Sequence, residues 1–125
     1  MNIQNWKNKA KEAGFQEEMK KLYGAKAEEN GKRYEALLDM YGEAFGDSEE
    51  ISLFSAPGRT EIGGNHTDHN NGVVIAAAVN LDIIAVVAKN DENVVRVISH
   101  GFGKIDDVNL RDLTRNPLKQ STAPA

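Results

Sequence analysis

The chain has 125 residues, 15 basic and 19 acidic, for a net charge of −4, with 40% hydrophobic and 27% charged residues and no cysteine. That is the make-up of an ordinary soluble domain long enough to bury a core. It excludes disulfides and thiolate metal sites, and with neither half of the chain basic it argues against a nucleic-acid surface. The longest apolar run, Val73 to Val79, is too short to span a bilayer, and the N-terminal Met1-Asn2-Ile3-Gln4-Asn5-Trp6 has no apolar signal core. No membrane association and a cytoplasmic location are the expectations.

Residues 1 to about 46 read as helical. Phe15, Met19, Leu22 and Tyr23 recur at helical spacing, with Gly24 as a stop. Tyr34, Leu37, Leu38, Tyr41 and Phe45 form one stripe of a longer amphipathic helix that ends at Gly46. Asn30 is a candidate cap for its start, or the helix begins earlier. The aromatic stripe reads as core packing, and Lys7, Lys9 and Lys11 as solvated charge.

After Asp47 the character changes to strands. Ile51 to Ser55 reads as a strand stopped by Pro57. Val73 to Val79 and Ile83 to Ala88 are two apolar runs of strand composition, and their continuity predicts burial on both faces. Asn90 to Asn93 reads as a hairpin turn, Val94 to Ser99 as the returning strand, and Lys104 to Leu110 as a further strand. Pro117 to Ala125 is small, polar and proline-bearing. The expected division is a helical segment at 1–48, a sheet-forming portion at 49–115, and a flexible tail or linker start at 116–125. Helices first and a mixed sheet afterwards make the fold class α+β.

The densest chemistry lies between the first two strand segments, in Ser55 to Gly72. This stretch holds Pro57, Gly58, Gly63, Gly64 and Gly72 among Arg59, Glu61, Asn65, His66, Asp68 and His69. A chain that bends this often brings backbone N–H groups and short polar side chains close to a small ligand. Three readings compete. Asx turns by Asn65, Asp68 and Asn70 would make it a structural connector. His66, Asp68 and His69 are candidate metal ligands, but a metallohydrolase loop H-x-H-x-D-H would need a His where Gly64 stands, and His100 lies two strands away. The third reading is polyol binding. Asp68 can accept from two neighbouring hydroxyls, Asn65 and His66 can each donate and accept, and Arg59 adds a fixed cation. No metal site is assigned.

The loop resembles the sugar-binding signature of galactokinases, in the GHMP kinase superfamily, of the form G-R-x-N-[LIV]-I-G-[DE]-H-x-D-Y after Ala-Pro. Ala56-Pro57-Gly58-Arg59 match, as do Gly64, His66, Thr67 and Asp68, and Asn70 and Gly72 suit the following turn. The similarity covers about residues 30 to 100. This chain departs from the pattern at Glu61, which stands for Asn, at Asn65, which stands for an acidic residue, and at His69, which stands for Tyr. The resemblance implies the N-terminal part of a GHMP kinase fold, like ribosomal protein S5 domain 2. It implies a longer enzyme that phosphorylates galactose at C1 with ATP and Mg2+. Arg59 takes the catalytic role beside the transferring phosphate, and Glu61, Asn65, His66, Asp68 and His69 the sugar side. Alternatives are a kinase for another sugar or a non-catalytic sugar sensor. The superfamily's phosphate loop, G-x-G-L-S-S-S-A, has no counterpart: Gly101 and Gly103 are the only later glycines, and no serine run follows them. The chain alone is therefore expected to bind no nucleotide and to be inactive.

Overall fold

The computed structural model describes residues 1–47, 50–64, 68–101, 105–112 and 114. The tail or linker expected at 116–125 lies outside them. The chain divides into two compact units, Met1–Ala88 and Lys89–Ala125.

In the first unit, helices α1 (Ile3–Ala10), α2 (Ala13–Tyr23) and α3 (Ala27–Phe45) precede two long antiparallel strands, β1 (Ile51–Gly63) and β2 (Ile75–Ala88). Asn2 caps α1, its side chain accepting from the Asn5 amide at 2.8 Å. Gly24 and Gly46 terminate α2 and α3 at φ +56° and +77°, where a residue with a Cβ is strained. Helix α3 starts at Ala27, so Asn30 is not its cap. Asn30 is buried one turn inside, donating to the Lys26 carbonyl at 3.0 Å and accepting from Arg33 at 2.7 Å.

The α3 stripe buries Tyr34 and Leu38, as its spacing predicts, whereas Phe45 at its end is exposed. Met19, Tyr23, Ala27 and Tyr34 form the core, with Phe15, Leu53 and Ile84 packed against it and Phe15 set edge-on to Tyr34. The strands therefore meet the helices through Leu53 of β1 and Ile84 of β2. Trp6 donates to the Ile51 carbonyl at 3.1 Å, and Ile51 donates to the Met1 carbonyl at 2.8 Å, tying α1 to the start of β1. Of the three N-terminal lysines, Lys7 is not free in solvent: it pairs with Asp39 of α3.

The strands depart from the sequence expectation in three ways. Pro57 does not stop β1, which continues to Gly63. In a two-stranded ladder both strands are edges, so a residue without an N–H is tolerated. The two apolar runs are one strand, joined through Asn80, Leu81 and Asp82. Burial on both faces does not occur: only the helix-facing side is covered, and Leu81 and Ile83 are 73% and 78% exposed.

The ladder is broken twice. Pro57 pairs with Asp82 but Arg59 with Ala78, so β2 carries two extra residues there; Glu61 pairs with Ala76 and Gly63 with Ile75, so β1 carries one. Gly58 sits opposite the first bulge. A Cβ on it would lie 3.1 Å from Val79 Cγ2 and 3.3 Å from the Leu81 carbonyl oxygen.

In the second unit, β3 (Val94–Ile98) pairs antiparallel with β4 (Ile105–Asn109), and Leu110 donates to the Asn93 carbonyl at 2.9 Å. The described sheets are two antiparallel pairs rather than one mixed sheet. The fold class, α+β, is as expected.

Candidate functional site at the tip of the first hairpin

The polar stretch singled out in the sequence is the far end of β1 and the connection that returns as β2. Beyond Pro57 every described residue up to Leu81 is exposed, apart from Glu61, Val74, Val79 and Asp68, whose side chain lies outside the description. The tip is thus open to a ligand while the base is fixed to helices.

Arg59 and Glu61 stand two apart on β1 and so share one face. Arg59 Nη2 donates to Glu61 Oε1 at 3.3 Å. The pair is asymmetric: the Glu61 side chain is 21% exposed and the Arg59 side chain 68%. The carboxylate is the sheltered end and the guanidinium the presented one. Arg59 has five N–H donors, so its bond to Glu61 leaves most of the fork to face an anion.

Gly64 follows at φ +89°. A Cβ there would run into the Val73 carbonyl oxygen and lie 2.8 Å from Val74 Cα. The two arms of the connection pass so closely that only glycine fits. Asp68 and His69 lie in a single 3-10 turn, Asp68–Asn70, which Asn71 leaves at φ +61°. Asn65 and His66 lie outside the described residues. The structure therefore brings Arg59 and Glu61 into contact and sets Asp68 and His69 together on the returning turn. Among the described residues no group of three or more His, Asp or Glu is placed to hold a metal ion.

A second polar centre of the unit lies at the base of the hairpin and escapes a motif reading. Asp82, with a side chain 7% exposed, accepts from Tyr23 Oη at 2.5 Å, Ser55 Oγ at 2.6 Å and Arg33 Nη1 at 2.8 Å. Arg33 Nη2 also donates to the Asp82 main-chain carbonyl at 3.0 Å, and the Tyr23 and Tyr34 hydroxyls lie 3.2 Å apart. Burial, the largest single influence on the Asp82 carboxyl, pushes it up, but the bonds from Ser55, Tyr23 and Arg33 hold it down at about 2. Burial and the Asp82 contact push the Tyr23 hydroxyl well above its usual value. The sequence signal for this centre is that Asp82 is the one charged residue between Val73 and Ala88. A buried carboxylate must be paired, and its partners lie 27 to 59 positions away, where no local spacing points to them.

Residues 39–89 match the galactokinase galactose-binding signature, which covers β1, the tip and β2. Among curated relatives, the chain is 32% identical over 91 residues to a galactokinase of Lactococcus lactis subsp. cremoris, covering 67% of this chain and 23% of that protein. It is 37% identical over 82 residues to a galactokinase of Enterococcus faecalis, covering 64% of this chain and 21% of that one. It is 37% identical over 68 residues to a galactokinase of Bacillus subtilis, covering 54% and 17%. The chain spans about a fifth of the length of these relatives. No solved structure matches it.

Proposed function

We propose that the chain is the galactose-binding part of a galactokinase, a longer protein that transfers the γ-phosphate of ATP to the C1 hydroxyl of galactose. The observation that carries this reading is the coincidence of the signature with the exposed, polar and, at Gly64, sterically tight tip of a hairpin anchored to helices at its base. On this reading the first unit is the start of a GHMP kinase N-terminal domain, like ribosomal protein S5 domain 2, and the longer enzyme works in the cytoplasm.

Asp68 accepts from two neighbouring sugar hydroxyls, and Asn65, His66, His69 and Glu61 complete the polar lining. Arg59, presented by its bond to Glu61, faces the negative charge of the transferring phosphate. What these groups supply is orientation and charge neutralisation, which dominate phosphoryl transfer. The sequence has no phosphate cradle, and on this reading ATP and Mg2+ are held by other parts of the longer enzyme.

The test is steady-state kinetics of that longer enzyme with Asp68→Ala. A hydrogen bond to a charged group is worth about 1.5–3 kcal/mol, so kcat/KM for galactose is expected to fall at least about tenfold. Unmodified enzyme that releases no ADP in response to galactose would overturn the reading. An unchanged galactose dependence in the variant would reduce Asp68 to a turn former.

A further inference from the structure

The first bulge of the hairpin lies between its two halves. Continued regularly from Pro57↔Asp82, the ladder would set Arg59 opposite Asn80 and Thr60 opposite Val79. Instead Arg59 stands opposite Ala78 and Thr60 opposite Ala77. The half that carries the signature is therefore offset by two residues from the half that packs on the helices. An even offset keeps every side chain on its face, so hydrophobic patterning alone does not forbid the regular register. Something must hold the offset, and Asp82 stands at its edge. Its carboxylate is bonded to Tyr23 of α2, Arg33 of α3 and Ser55 of β1, and its main-chain carbonyl to Arg33. Gly58, the residue opposite, leaves the room that the looped-out residues occupy.

We propose that Asp82 is a positioning residue: by bonding the edge of the bulge to both helices and to β1, it fixes the register in which the signature tip is set on its helical base. The inference rests on the galactose-binding reading only for its consequence, not for its mechanism. A slip of two residues moves Arg59 along its partner strand by about 7 Å, and misplacement by even about 1 Å is enough to cost on the order of a hundredfold in rate.

The chain has no cysteine, so introduced pairs report register without interference. Directly opposite residues lie close enough to form a disulfide, whereas residues two positions off do not. Four variants of the 125-residue chain are oxidised. For the tip, Thr60→Cys is combined with Ala77→Cys or Val79→Cys; for the base, Phe54→Cys is combined with Ala85→Cys or Ile83→Cys. The observed register favours 60/77 over 60/79 and 54/85 over 54/83. With Asp82→Ala added, at least one of the two preferences is expected to collapse by tenfold or more. Both preferences intact in a folded Asp82→Ala chain would overturn the proposal. Should that variant lose its helical circular dichroism, Arg33→Ala decides instead, since its side chain is 42% exposed and Tyr23 and Ser55 still donate to the Asp82 carboxylate. A threefold loss of either preference supports the lock, and none refutes it. These yields are read without ligand, so they stand or fall apart from the sugar reading, which fails separately if the longer protein does not phosphorylate galactose.

Discussion

At the scale of single residues, the tip is set by steric need at Gly64 and by the polarity of the Arg59–Glu61 pair. An ion pair with its cation 68% exposed contributes little to stability, so the bond to Glu61 bears on the orientation of the guanidinium more than on folding energy. Gly64 is the opposite case. Its φ of +89° and the closeness of Val73 and Val74 leave no space for a methyl group. Gly64→Ala is expected to destabilise the first unit by at least about 2 kcal/mol, read as a shift of the urea midpoint. A midpoint unchanged within error would show that the tip relaxes freely. The sequence displayed Gly64 as a motif member; that the need is steric, set by the returning strand, was visible only in three dimensions.

At the scale of elements, the helices were legible because their signals are local. The α3 stripe and the glycines at 24 and 46 each act within a turn or two of the chain. The strands were legible in composition but not in extent. Pro57 read as a stop because a proline usually ends a central strand, and among the described residues β1 pairs with β2 alone. The continuous apolar run of β2 read as buried on both faces, while the helices cover only one. What joins the elements was not legible at all, since Tyr23, Arg33, Ser55 and Asp82 meet only in the fold. That junction has a pH signature. The Asp82 carboxyl lies at about 2, below its usual 3.8, so its contribution is complete above about pH 4. It is lost as pH falls from 4 towards 2, and amounts to on the order of 2 kcal/mol. Urea unfolding followed by circular dichroism is expected to show stability falling across that window. Asp82→Asn is expected to be less stable at neutral pH and to have a flatter acid limb. An acid limb as steep as that of the parent chain would place the titrating group elsewhere.

At the scale of the whole molecule, the question is how much chemistry 125 residues can carry. On the proposed reading the signature supplies groups for gripping a polyol and a presented cation, Arg59, which would bind and orient. Phosphoryl transfer also needs the nucleotide's phosphates held in line and their charge neutralised. The sequence has Gly101 and Gly103 without a following serine run. The chain alone is therefore expected to give no galactose-dependent release of ADP from Mg-ATP, measured by a coupled assay at high enzyme concentration. Galactose binding is a separate matter, because the groups assigned to it lie within one hairpin whose base is held by its own helices. Calorimetry on the isolated chain is expected to register weak binding that Asp68→Ala abolishes. Turnover by the isolated chain would show that the phosphate-handling groups are present in a form the sequence does not reveal. Absence of turnover together with galactose binding would assign to this segment the sugar half of the site and nothing more.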